Sequence, residues 1–577
     1  MSNIDENKIC QNCKKDFTIE PEDFSFYEKM KVPPPTFCSL CRAQRRFLFR
    51  NERVLYKRKS DFTGDEIFTM FSPESGIKIY EREVWLSDKW DPMDYGQDYD
   101  FSKSFFVQFF ELLKKVPFKN MNIINGVNSP YTFNITDPKN CYLVFNASYD
   151  EDCMYSHGID YSKWCLDCSH TSKCENCYES FWITSCNNVS FSSQCENSFN
   201  MNLCKNCYGC NDCFGCVNLR KKSYCIFNKQ YSREEYLEKI KSFKLSSFKE
   251  LQNIKQRAYK FWLEFPNKFI EGLQNTNVSG NYINHSKEVI NSFLIRDGQN
   301  LHYCQYLQEG SGNKDCWDYS VYGDNNQLVY ECHACGLGTQ NIKFCLHCEE
   351  KVHDLEYCVF CSKGSENLFG CVGLRKKQYC IFNKQYTKDE YFKTVEKIKE
   401  QMDKIPYIDD QGRVYKYGEF FPSEFSPFAY NTTLAQEYFP LSKKEVEENG
   451  NLWEDTKERN YKIDFKIGEL PDSLNEVGDN IVGKIIECEH KGECNQLCTS
   501  AFKIIEDELI FYKKMNLPLP RLCPNCRTFE RLKQRTGMKL YTRKCMKEGC
   551  QNEFETSYPL DRPEIVYCER CYQQEVY

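Results

Sequence analysis

CENCYESFWITSCNNVSFSSQCENSFNMNLCKNCYGC, residues 174–210, places its cysteines only at multiples of three from one another. The rule extends from Cys141 to Cys225. Helices of ordinary length do not explain such gaps. Short β units stacked in a solenoid do, because stacking places equivalent side chains above one another. Cysteine is small and apolar enough to form an internal ladder, and the intervening Asn and Ser suit tight turns and side-chain stacks. Many of these cysteines recur at 21 residues (153, 174, 195 and 216), which predicts a 21-residue turn of a parallel β-helix. A second, looser tract over 276–386 carries CHAC, CLHC and CVFC starting at 332, 345 and 358, a 13-residue step. The thiols are expected as a buried ladder, with His333 and His347 exposed beside it. Metal held pair by pair is the alternative.

Each tract ends in nearly the same sentence. FGCVNLRKKSYCIFNKQYSREEY (214–236) and FGCVGLRKKQYCIFNKQYTKDEY (369–391) agree at 18 of 23 positions. Both run into capping boxes, Ser232 with Glu235 and Thr387 with Glu390. The sentence reads as a solenoid terminator followed by a helical lid. Cys225 and Cys380 lie in its apolar YCIF and read as core rather than as nucleophiles.

The two ends of the chain match each other at an offset of 485. FYEKMKVPPPTFCSLCR (26–42) parallels FYKKMNLPLPRLCPNCR (511–527). Two CxxC pairs, Cys10, Cys13, Cys38 and Cys41, supply the four thiolates of a structural zinc site. The matching set is expected to be Cys494, Cys498, Cys523 and Cys526, with Cys488 a possible spare ligand. A third set follows in Cys545, Cys550, Cys568 and Cys571. Its counterpart near the N-terminus has Ser60, Glu81 and Val84 at ligand positions and reads as a finger without metal. Phe68, Phe71, Tyr80, Trp85 and Trp90 would support it instead. About three zinc ions per chain follow.

The end modules resemble small bacterial zinc-ribbon domains of unassigned role, through CxxC, F-x-I, a Phe/Tyr-rich segment, Pro and CPxCR. More widely the chain resembles long Cys-rich, zinc-ribbon-containing hypothetical proteins of candidate-phylum bacteria, through GEFFPSEFSPFAYN (418–431), QEYFPL (436–441) and ETSYPLDRPEIVYCERCY (555–572). The resemblance implies zinc binding and no transferable function.

The expected architecture is mainly β: duplicated Cys-rich parallel β-solenoid segments, each capped by helix, flanked by small zinc-ribbon or treble-clef-like modules at both ends. The divisions are a zinc ribbon (1–59), the degenerate finger plus a helix (60–118), solenoid 1 (119–231), a helical cap (232–272) and solenoid 2 (273–386). A helix and aromatic, Pro-rich strap (387–465), a second ribbon (466–544) and a C-terminal finger (545–577) complete the chain.

With 577 residues, 37 cysteines and no basic-then-apolar leader, a cytoplasmic protein with reduced thiols is expected rather than a secreted disulfide scaffold. No stretch suggests a membrane span, and the oligomeric state is left open. The net charge of −7 excludes a generic polyanion binder, so nucleic-acid binding would need local patches. Arg42, Arg45, Arg46, Arg50 and Arg58 beside the first ribbon, and Arg527, Arg531, Arg535 and Arg543 beside the second, are the candidates for RNA or DNA. Three functions stay open. They are a zinc-binding, non-enzymatic recognition scaffold for nucleic acid, a scaffold for protein partners on the solenoid faces, and, as a minor reading, a carbohydrate-active β-helix enzyme. The last rests on Asp150, Glu151, Asp152 and Asp160. No phosphate loop, dinucleotide fingerprint or HExxH is present, so an enzyme is the less favoured class.

Overall fold

The computed structural model describes residues 6–307, 312–455 and 461–577. Its centre is a pair of parallel β-solenoids. In the first, Cys165 pairs with Cys177, Cys213 with Cys225, and His157 with Ser169. One coil is therefore 12 residues, the spacing of the ladder bonds, and not the 21 expected from cysteine recurrence. In the second, pairs such as Lys314 with Gln327 and His353 with Glu366 make the coil 13 residues over much of its length. That agrees with the step read from CHAC, CLHC and CVFC.

A backbone rule produces the short coil. From Asn134 to Tyr161 every third residue is left-handed, with φ between 50 and 63°. Each such residue turns the chain, so a coil is a square of four three-residue sides. One side chain per side points inward. Cys165, Cys168, Thr171 and Cys174 fill one coil and are all buried. Cysteine shares that lumen with aliphatic side chains such as Ile159, Ile183 and Met201. The left-handed corners strain most residues by about 1–2 kcal/mol each, which explains the many Asn and Asp there. Those residues also stack: Asn122 donates to Asn134 and Asn134 to Asn146, while Asn128 donates to Asn140 and Asn140 to Asp152.

The interior cysteines are free thiols. Cys153 Sγ donates to Glu151 O at 3.3 Å and to Ser162 O at 3.5 Å, and neighbours repeat the pattern. Burial pushes Cys141 and Cys304 up to about 12, so these groups stay protonated donors. Cys225 and Cys380 are part of this core. His333 is not exposed as expected. It is fully buried against Phe47 and His347, and burial keeps its ring neutral; His347 is half-buried and stacks on Phe360 at 4.8 Å.

The repeated sentence ends each ladder. Its last strand folds back antiparallel, Cys225 against Gln230 and Cys380 against Gln385. Asn228 then caps Val217 with two hydrogen bonds, both 2.9 Å, and Asn383 caps Val372 with two at 2.8 Å. Each amide side chain stands in for the missing next strand. The capping boxes form, and helices Arg233–Lys241 and Lys388–Lys404 follow.

The solenoids lie side by side, touching through His170 and Tyr306 (5.4 Å between ring centres) and through Trp182 and Tyr282 (4.8 Å). The strap packs aromatics on helix Phe105–Lys115, with Phe110 stacked on Phe425 at 4.3 Å. No helix among the described residues is long and apolar enough to cross a membrane.

Candidate metal centres and their docking

Three groups of four cysteines bring their sulfurs within 4.8 Å of one another: Cys10, Cys13, Cys38 and Cys41; Cys488, Cys498, Cys523 and Cys526; and Cys545, Cys550, Cys568 and Cys571. Each group is assembled in the same way. Two ligands come from the knuckle joining short antiparallel strands, such as Glu6–Ile9 and Asp16–Ile19. The other two come from the start of a helix, with Cys38, Cys523 and Cys568 at the cap positions. The helix N-terminus favours thiolate there.

The donor geometry fits a metal. Sulfurs 2.3 Å from a tetrahedral ion stand about 3.8 Å apart. The observed separations are 3.8 Å for Cys13 and Cys38, 3.9 Å for Cys498 and Cys523, and 4.0 Å for Cys550 and Cys568. A disulfide would need about 2.05 Å. In every group one backbone N–H donates to the first sulfur: Cys38 to Cys10, Cys523 to Cys488 and Cys568 to Cys545, at 3.3, 3.2 and 3.3 Å.

The second group corrects the sequence reading. Cys488, not Cys494, takes the place of Cys10. Its N–H bonds Ser500 O at 2.9 Å, as that of Cys10 bonds Lys15 O at 2.9 Å. The long loop from Cys488 to Cys498 moves Cys494 outward, where it approaches Cys526 at 3.7 Å beside His490. The feature the two first ligands share is the short strand directly before the cysteine, Glu6–Ile9 before Cys10 and Ile486–Glu487 before Cys488, which offset matching did not register.

In the degenerate finger, Ser60 Oγ donates to Glu81 at 2.6 Å and Thr63 Oγ1 donates to the other oxygen of the same carboxylate. Hydrogen bonds thus replace the metal at three ligand positions, Thr63 standing where Cys550 stands in the other finger. Burial opposes the Glu81 charge, but the two hydroxyls win and hold its carboxyl low. Trp85 is buried and bonds Pro117 O.

The arginines beside the ribbons do not face solvent. Arg42 donates to Asp318 at 2.7 Å and Arg46 to the same carboxylate at 3.2 Å. Arg45 joins Glu331 and Glu419, and Arg50 joins Glu52 and Asn146. At the other end Arg531 reaches Asp167 at 2.7 Å, while Arg527 reaches Asp167 at 3.2 Å and Glu508 at 3.1 Å. Arg535 lies over the Tyr438 ring, and Arg543 donates to Pro559 O. These eight are buried. Arg58, partly buried, pairs with Asp61. Six of the arginines read as phosphate contacts, Arg42, Arg45, Arg46, Arg50, Arg527 and Arg531, are thus buried contacts to the solenoids. The N-terminal ribbon places Arg42, Arg45 and Arg46 on solenoid 2 and Arg50 on solenoid 1, while the C-terminal ribbon places Arg527 and Arg531 on solenoid 1. The fingers cross the other way: Ile79–Tyr80 pairs with Phe118–Lys119 at the entry to solenoid 1, and Val566–Tyr567 with Asn267–Lys268 at the entry to solenoid 2.

The acidic candidates on solenoid 1 lie along the ladder, and three of them have partners there. Asp150 accepts from Ser162 N at 2.8 Å, Glu151 bridges Lys139 and Lys163, and Asp152 accepts from Asn140. Asp160 ends the ladder strand His157–Asp160.

No family model and no curated protein matches the chain. Among solved structures, a chain described as "putative acetyltransferase from Desulfovibrio desulfuricans G20" is 9% identical, with 51% of this chain and 75% of that chain covered and a TM-score of 0.10. At that score the likeness carries no argument.

Proposed function

We propose that this protein is a zinc-stapled, non-enzymatic scaffold that holds protein partners. The observation that carries the reading is the use of the terminal arginines: Arg42, Arg45, Arg46, Arg50, Arg527 and Arg531 are buried and bind the cysteine modules to solenoid residues instead of facing outward. The net charge of −7 agrees. Four soft thiolates at tetrahedral spacing favour zinc among the common ions, about three per chain. Zinc would supply cross-linking here, not chemistry: in each site four cysteines occupy the tetrahedral positions and leave none for substrate. The free solenoid thiols fit a reducing, cytoplasmic setting.

The test is affinity purification of the zinc-loaded chain from its native cells. A stoichiometric protein that survives nuclease and high salt is expected. Tight RNA or DNA binding at low salt that collapses with added salt would instead establish the nucleic-acid reading.

A further inference from the structure

The two ribbons differ in one respect that points to a ligand. Beside the N-terminal ribbon the chain fills its own groove. Tyr415 packs 5.8 Å from Phe37, and Gly418 lies so close to Pro33 that an added Cβ would stand 2.3 Å from its ring. Glu419 accepts from Thr36 N at 3.0 Å and from Arg45 at 3.2 Å, and Phe420 meets Phe49 at 5.7 Å. The cavity beside Phe37, Arg45 and Tyr415 is only about 30 Å³.

The corresponding place beside the C-terminal ribbon is a cavity of about 550 Å³. Its walls are the counterparts of the filled groove: Pro518 for Pro33, Arg521 for Thr36, Leu522 for Phe37 and Glu530 for Arg45. Helix Phe248–Trp262 closes the far side with Phe248 and Leu251. No described segment fills it. Arg521 is buried and gives one guanidinium nitrogen to Leu470 O and Pro471 O, while its Nη1 has no hydrogen-bond partner. Glu179 pairs with Lys255, and among the described residues the ion pair of Glu530 is with Lys533, which caps the end of its helix.

We infer that this cavity takes an extended peptide from a partner protein, with an arginine or lysine where the strap carries Glu419. The inference deepens, and rests on, the protein-scaffold reading. Its basis is charge complementarity. In the filled groove Arg45 meets a glutamate; in the open one Glu530 stands in its place, so the occupant's charge reverses. Apolar neighbours of that residue pack on Pro518–Leu522, as Gly418 packs on Pro33. Arg521 Nη1 takes a main-chain carbonyl of the peptide. A strap from a second copy is disfavoured, because its Glu419 would face Glu530.

The test uses two labelled peptides, KYGEFFP (residues 416–422) and its Glu419→Arg form, titrated against the zinc-loaded full chain. The arginine peptide is expected to bind at least about fivefold more tightly, a rim-charge effect. Glu530→Arg, checked for unchanged zinc content and circular dichroism, is expected to reverse the preference. Failure of the arginine peptide to bind at millimolar concentration, or a preference that Glu530→Arg leaves untouched, overturns the proposal. If a partner still co-purifies with Glu530→Arg undiminished, the groove assignment falls while the scaffold reading stands.

Discussion

Arg531 and Asp167 are 364 positions apart in the chain and meet at 2.7 Å in the buried interior. Arg46 and Asp318, 272 positions apart, make the same contact at the other end. In these two pairs the interlock is crossed, a terminal ribbon reaching the solenoid farther from it in sequence, while Arg50 and Glu52 also hold the nearer one through Asn146 and His157. Such distant pairings must wait for both solenoids to form, which predicts slow, late docking of the ends.

Removing one partner of a buried ion pair leaves the other charge stranded, at a cost of about 3–5 kcal/mol. Arg531→Ala is expected to lower the denaturation midpoint and expose the C-terminal ribbon to proteolysis. Arg531→Lys should rescue little, because the guanidinium also donates to Tyr155 O and Thr528 Oγ1. A midpoint unchanged by Arg531→Ala would mean the clamp does not hold the module.

Metal stoichiometry separates the two versions of the second site. Elemental analysis of the purified protein should give about three zinc ions. Cys488→Ser should lose about one of them, whereas Cys494→Ser should keep all three. The opposite pattern would restore Cys494 as the ligand.

The finger without metal depends on Glu81. Glu81→Ala removes the acceptor for Ser60 and Thr63 and should cost about 1 kcal/mol in this partly exposed place. Hydrogen exchange over residues 60–90 should quicken while zinc content stays constant. Loss of zinc in that variant would show that this finger supports a metal site after all.

Acid should loosen the contact between the N-terminal module and solenoid 1. Burial opposes the Glu52 charge, but Arg50 and His157 overcome it and hold its carboxyl well below the usual range. A depressed folded-state value means the contribution is complete above the unfolded value of about 4.3 and is lost as pH falls below it. Glu52→Gln should therefore destabilise the protein at neutral pH and flatten the acid limb of the stability profile. An acid limb as steep as that of the unaltered protein would assign the loss to other carboxylates.

Much of this molecule is written in local pattern. Cysteine gaps of three encode a backbone that turns at every third residue, and CxxC pairs at helix starts encode tetrathiolate sites. S/T-x-x-E encodes the two lids. The coil length was misread because cysteine fills several of the four inward positions of each coil, so a recurrence of 21 adds one coil of 12 to three further sides. The second ligand set was misread because a long loop displaced the register that offset matching relies on.

The sequence by itself thus determined the stacked β units, their thiol interior, their terminators and the cysteine modules, since each depends on neighbours within a coil or a knuckle. Only the tertiary structure decided what the arginines do. A guanidinium's role depends on which carboxylate lies within about 3 Å, and here the partners of Arg42, Arg46 and Arg531 come from hundreds of residues away. The same run of charge would read identically on a solvated helix face. Packing against the opposite solenoid turns it into a buried clamp, and leaves one groove filled and its counterpart open.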